Sequence, residues 1–105
     1  MVKFWIDPRR GELRVLGHAG FDSPGRDPVC AGVSVLVLTL YRRVAELGNK
    51  GAVEIKALAA EPGAALIRCR PNPGREQEVE TVFRTIETGL TMLSQEYPEY
   101  VGRLE

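Results

Sequence analysis

Hydrophobic residues recur at every second position over Val2, Phe4 and Ile6, with Lys3, Trp5 and Asp7 between them, which is the period of a strand with one buried face. Asp7-Pro8-Arg9-Arg10-Gly11 has turn composition. Residues 12–17 then resume alternation, with Leu13 and Val15 on one face and Glu12, Arg14 and Leu16 on the other, so the opening reads as a β-hairpin. If the alternation held to its end, His18 would share the face of Leu16, opposite Leu13 and Val15. The period changes after Asp27. Val29, Val33, Leu36, Val37, Leu40, Val44 and Leu47 trace a helical stripe that Val35 and Leu38 widen, which predicts a helix covered by sheet on one side and by a partner subunit on another. Gly48 and Asn49 are its expected stop.

Residues 52–60 and 64–70 read as two further strands joined by a turn at Glu61-Pro62-Gly63. Asn72-Pro73-Gly74 leads into a last helix with acidic residues Glu76, Glu78 and Glu80 in its first turns and a stripe of Val79, Val82, Phe83, Ile86, Leu90 and Leu93. Pro98 disfavours helical geometry in the residue before it, so this helix should end near Tyr97. The predicted order is ββαββα. It implies one α+β domain spanning residues 1–105, with a mostly antiparallel sheet and both helices packed on one face.

The segment between the first hairpin and the first helix carries the candidate chemistry. The one histidine, His18, stands at a strand exit, and Cys30 is the third residue of a helix that starts with Asp27 as N-cap and Pro28 at N1. Between them Gly17, Gly20 and Gly25 permit positive φ, Pro24 and Pro28 fix φ, and Asp22 and Ser23 satisfy local backbone groups, so the loop is built to fold back. A helix N-terminus favours thiolate, and an imidazole within reach takes the thiol proton. Backbone N–H groups of the same turn are candidates for an oxyanion site. Asp27 has two readings: a cap that accepts from the Cys30 N–H, or a carboxylate that orients His18. Ser34, one turn after Cys30, either bonds the Cys30 carbonyl or lines the site as a donor. Cys69 falls on the apolar face of its strand and reads as core.

Composition narrows the field. The chain has 105 residues, 44% of them apolar and 27% charged, which suits one globular domain small enough to gain from dimerisation. Fourteen basic residues balance fourteen acidic ones, so no global field favours nucleic acid or anionic lipid. Asp27 stands where a phosphate would sit, and no Gly-rich phosphate motif is present. One histidine and two cysteines do not make a structural zinc site or a disulfide framework, so no metal or cofactor is expected. The longest apolar run is broken by Ser34, Thr39 and Tyr41 and stops at Arg42-Arg43, which predicts a cytoplasmic protein without a membrane span.

Gly17-His18-Ala19, followed after the glycine loop by Asp27-x-Val29-Cys30-Ala31-x-Val33-Ser34, resembles the signature of the bacterial ribosomal-processing cysteine protease family, Prp. The resemblance implies His18 as base and Cys30 as nucleophile. It places the family's motif aspartate on Asp27 and motif serine on Ser34, and it makes the loop with Gly17, Ala19, Gly20 and Gly25 the substrate loop. It also implies a homodimer whose substrate is the N-terminal extension of a large-subunit ribosomal protein. Pro28 and Gly32 depart from the aliphatic residue and the alanine commoner at those positions. The competing expectation is a non-catalytic dimeric assembly module whose loop grips a partner peptide, and a thiol redox switch is weaker because no resolving cysteine lies nearby in sequence.

Overall fold

The computed structural model describes residues 1–104. Strands β1 (Val2–Asp7) and β2 (Glu12–Leu16) form the first hairpin, helix α1 (Pro28–Asn49) follows, strands β3 (Val53–Glu61) and β4 (Ala64–Pro71) form the second hairpin, and helix α2 (Glu76–Glu96) leads to a short strand β5 (Val101–Arg103). The strands lie in the order β3-β4-β2-β1-β5. All neighbours are antiparallel except β1 and β5, which run parallel.

Strand order and crossover handedness together explain why both helices share a face. Helix α1 connects β2 to β3, which points the same way, and α2 connects β4 to β5, which also points the same way. Those two crossovers step in opposite directions along the sheet, but β2 and β4 are antiparallel. The right-handed rule for such connections therefore sends both helices to the same side. Phe4, Leu13 and Ile67 on the sheet and Leu40, Val44, Phe83 and Leu90 on the helices are fully buried between the layers. Glu12 is buried on the opposite face, where Arg14 holds it in a 2.8 Å ion pair. The Arg14 guanidinium also lies 5.9 Å from the Trp5 ring, and these two residues are direct partners in the hairpin register. An unusually apolar outer face is thus partly covered by an arginine.

Two details depart from the sequence expectations. Helix α1 does not stop at Gly48 but continues through Asn49, and the chain turns at Gly51 with φ +75°. Gly48 serves packing rather than termination: Ile55 lies against it, and a Cβ there would sit 2.7 Å from Ile55 Cδ1. The second departure is β5. Val101-Gly102-Arg103 has no alternating run to announce it, and it becomes a strand only because the edge of β1 is free to pair with it at Val2, Lys3 and Phe4. Val101 is 1% exposed, so this edge closes the core under α2.

Helix α1 is long and apolar enough by length and composition to cross a membrane. Here its buried stripe, Val29, Val33, Val37, Leu40, Val44 and Leu47, is the central helix of the core. Val101→Ala removes two buried methyl groups at the closing strand and should lower unfolding free energy by about 2 kcal/mol, read as a lower urea midpoint with an unchanged slope.

Candidate active site

The site lies where β2 ends, α1 begins and the β3–β4 hairpin turns. Asp27 has extended backbone geometry (φ −92°, ψ 105°) and caps α1, with Pro28 next in the first turn. One carboxylate oxygen, Oδ1, accepts from the N–H groups of Val29 at 2.9 Å and Cys30 at 3.0 Å. The other, Oδ2, accepts from Phe21 at 3.0 Å and Asp22 at 3.2 Å. Both oxygens are used by backbone donors, so this side chain caps the helix and ties the loop to it rather than orienting His18. Burial works against its ionisation, but the N–H groups of Cys30, Asp22, Phe21 and Val29 outweigh that and hold its carboxyl below the ordinary value of 3.8.

The first-turn donors of α1 are therefore taken. Val29 and Cys30 donate to the Asp27 carboxylate, and Ala31 N–H donates to the Asp27 carbonyl at 3.0 Å. An oxyanion site made from that turn, as the sequence suggested, finds its donors occupied. The donor that does reach Cys30 comes from the loop: Ala19 N–H points at its Sγ at 3.2 Å. Ala19 is 3% exposed and packs with the core, which anchors that N–H.

His18 takes an unexpected face. Gly17 has φ +93°, which breaks the strand alternation and swings the next side chain off the face of Leu16 and into a cleft shared with Val15. A side chain at Gly17 would also drive its Cβ to 2.3 Å from the Met1 carbonyl oxygen. The His18 ring rests on Gly63 of the β3–β4 turn, so closely that a Cβ there would be 2.6 Å from Nε2. Gly17 N–H donates to the Gly63 carbonyl at 2.9 Å and holds the two turns together. Among the described residues no hydrogen bond joins the imidazole to the sulfur, which accepts from Ala19 N–H.

His18 and Cys30 line one cleft of about 320 Å³ with Val2, Val33, Ser34, Val37, Leu38 and the segment Ala60–Ala65. Ser34 is exposed there, and no bond to the Cys30 carbonyl forms. Of the loop glycines, Gly20 and Gly25 both carry positive φ, +72° and +83°. Cys69 is 2% exposed, and burial pushes its thiol up to about 11. Among the described residues no cluster of three or more His, Cys, Asp or Glu side chains is placed to hold a metal.

Two features of the site were not legible in the sequence. Gly63 was readable as a turn residue, but its role under His18 depends on β4 lying beside β2. Phe21 stacks edge-on against Tyr97 at 5.7 Å and Tyr100 at 5.1 Å, which fastens the loop to the chain's C-terminal segment. Nothing local links residue 21 to residues 97 and 100.

A thiol in the first turn of a buried helix, sharing a cleft with an imidazole on a glycine loop above an α+β sheet, has the layout of a small cysteine hydrolase. The family described as cysteine protease Prp matches residues 1–102, and the chain belongs to that family. Similar solved structures include the essential ribosomal processing protease Prp from S. aureus with a covalently linked product peptide. It is 21% identical, with 97% of this chain and 94% of that one covered at a TM-score of 0.72. The same protease with a substrate peptide is 19% identical, with 99% and 98% covered at a TM-score of 0.67. SMU.848 from Streptococcus mutans is 23% identical, with 98% and 91% covered at 0.67. Likeness at this identity establishes the fold, and the ββαββα element order and mostly antiparallel sheet expected from the sequence stand with β5 added. No curated protein matches the chain in sequence.

Two outcomes follow from this geometry. The folded-state carboxyl value of Asp27 is depressed, so its contribution to stability is complete above 3.8 and is lost as pH falls through the lower folded value. Asp27→Asn should flatten that acid limb of a urea-midpoint profile against pH and weaken the fold at neutrality. Iodoacetamide on the native protein at pH 8 should alkylate Cys30 and spare Cys69, which becomes reactive only in denaturant, as read by peptide mass mapping.

Proposed function

We propose that the protein is a cysteine endopeptidase that removes the N-terminal extension of a large-subunit ribosomal protein during ribosome assembly, with Cys30 as nucleophile and His18 as base. The observation that carries the reading is the shared cleft, in which the thiol and the imidazole open onto the same apolar groove. Membership of the Prp family and the peptide complexes of the S. aureus protease support it.

In this reading the His18 ring leaves its rest on Gly63 and takes the proton from Cys30 Sγ. Gly17 and Gly20, both at positive φ, flank the short segment that must move. The thiolate attacks the scissile carbonyl carbon and forms a tetrahedral intermediate. With the first helical turn already partnered, Ala19 N–H is the donor placed to follow charge from the sulfur to the new oxyanion. The protonated imidazole gives its proton to the leaving amine, a thioester remains on Cys30, and water activated by His18 hydrolyses it. Asp27 acts as a positioning residue, because its carboxylate joins the loop next to His18 and Ala19 to the turn that carries Cys30. Ser34 lines the groove beside the nucleophile as a polar contact for substrate.

The proposal includes a cytoplasmic homodimer. Val35 is 64% exposed on α1 and Met92 is 63% exposed on α2, and they flank a groove lined by Gly32, Leu36, Gly89 and Leu93 that a second copy would cover.

The test is cleavage of the N-terminal extension of the large-subunit ribosomal protein from the same organism, followed by mass spectrometry. Cys30→Ala and His18→Ala should each lower kcat/KM by about 10³-fold or more while leaving the urea midpoint close to the parent. Cleavage undiminished in either variant defeats the assignment. Binding without cleavage by the native protein would turn the reading to the non-catalytic peptide-gripping module.

A further inference from the structure

Strand β3 is an edge of the sheet, and its two halves are protected very differently. In the first half the ladder slips between Ile55 and Ala57, so Lys56 forms a bulge, and Glu54 pairs with Lys56 at 2.8 Å and with Arg70. Bulges and charged side chains are the usual means of preventing another strand from adding to an edge. The second half, Ala57-Leu58-Ala59-Ala60, has no charge, no bulge and no proline.

The hydrogen-bond phase of this half follows from one contact. Gly17 N–H bonds to the Gly63 carbonyl, so Gly63 and the alternate residues after it, Ala65 and Ile67, turn their backbone groups toward β2. Ala64, Leu66 and Arg68 therefore bond to β3, where their partners are Glu61, Ala59 and Ala57. Leu58 and Ala60 are left with N–H and C=O groups directed away from the sheet. These are the groups a further strand requires.

The unguarded half also leads into the catalytic cleft. Ala60 and Glu61 line it from the sheet, and Cys30, Ser34 and Leu38 face it from α1, one helical turn apart from one another. Leu38 is 55% exposed, an apolar side chain left uncovered along the same path.

We propose that the outer edge of β3 over Ala57–Ala60 receives the substrate as an added strand, aligned by main-chain hydrogen bonds to Leu58 and Ala60, so that its scissile carbonyl arrives at Cys30. The inference rests on the endopeptidase reading for the identity of the strand, an extended polypeptide. Affinity then comes from the peptide backbone, and side chains pointing under α1 against Ser34 and Leu38 supply selection.

The experiment uses Cys30→Ala protein and a fluorescein-labelled peptide of the ribosomal-protein extension, N-methylated at one amide at a time, with binding read by fluorescence anisotropy. Methylation at alternate amides on the β3-facing edge should weaken binding at least tenfold, with little change at the amides between them. A loss without period two, no loss, or no binding of the unmethylated peptide overturns the proposal. Period-two binding without cleavage by the native protein sinks the protease reading and leaves the edge site standing, whereas cleavage with a flat methylation scan does the reverse. A flat scan together with a dimer that Ala59→Lys dissociates in sedimentation assigns the edge to a second copy and also overturns it.

Discussion

The arrangement of the site depends on one carboxylate and the four backbone N–H groups it accepts. Asp27 sits at the start of α1, and a side chain in that position ordinarily satisfies one or two orphan donors of the helix. Here its second oxygen reaches back to the loop at Phe21 and Asp22, so the segment beside His18 and the turn that bears Cys30 share one partner. A buried acid with four donors has little reason to bind a proton, and the charge that burial would penalise becomes the element that joins loop to helix. The cost is that the helix N-terminus is no longer open to an anion. In the proposed mechanism, charge that develops on a substrate finds its donor on the loop side, which is where Ala19 N–H points at the sulfur.

The sheet supplies the other constraint. Because β4 lies between β3 and β2, the Pro62-Gly63 turn comes level with the end of β2, and the absence of a side chain at Gly63 leaves room for the imidazole. Gly17 turns the histidine toward the helices at the point where alternation would have sent it to the opposite face. Two glycines far apart in sequence thus define one ring position, by what each backbone can do that an alanine cannot. Resting on Gly63 keeps the ring near the cleft without committing it to the sulfur. That suits a loop held at one end by the Asp27 carboxylate and by the edge-on stacking of Phe21 against Tyr97 and Tyr100.

The edge of β3 belongs to the same geometry. In the proposed reading, a sheet whose outermost strand runs into the cleft of His18 and Cys30 offers an extended polypeptide a template and a destination at once, and the bulge at Lys56 leaves the stretch nearest Cys30 as that template. The first half of the strand resists association, and the second half invites it.

Much of this was readable from residue order because the relevant physics is local. Alternation in β1 and β2, the apolar stripes of α1 and α2, the Pro-Gly turn and the Asp27-Pro28 helix start each depend on neighbours within a few positions, and the structure reproduces them. The cap reading of Asp27 was legible for the same reason. Its second pair of donors, the contact of His18 with Gly63, the docking of Phe21 on two tyrosines and the pairing of Val101 with Val2 were not, since each joins segments that only the folded sheet and helices bring together. Sequence alone determined that a thiol would start a helix and an imidazole would end a strand. The tertiary structure decided which way the imidazole faced and which donor met the sulfur, because both depend on strand order, and strand order is settled by long-range pairing that no local period encodes.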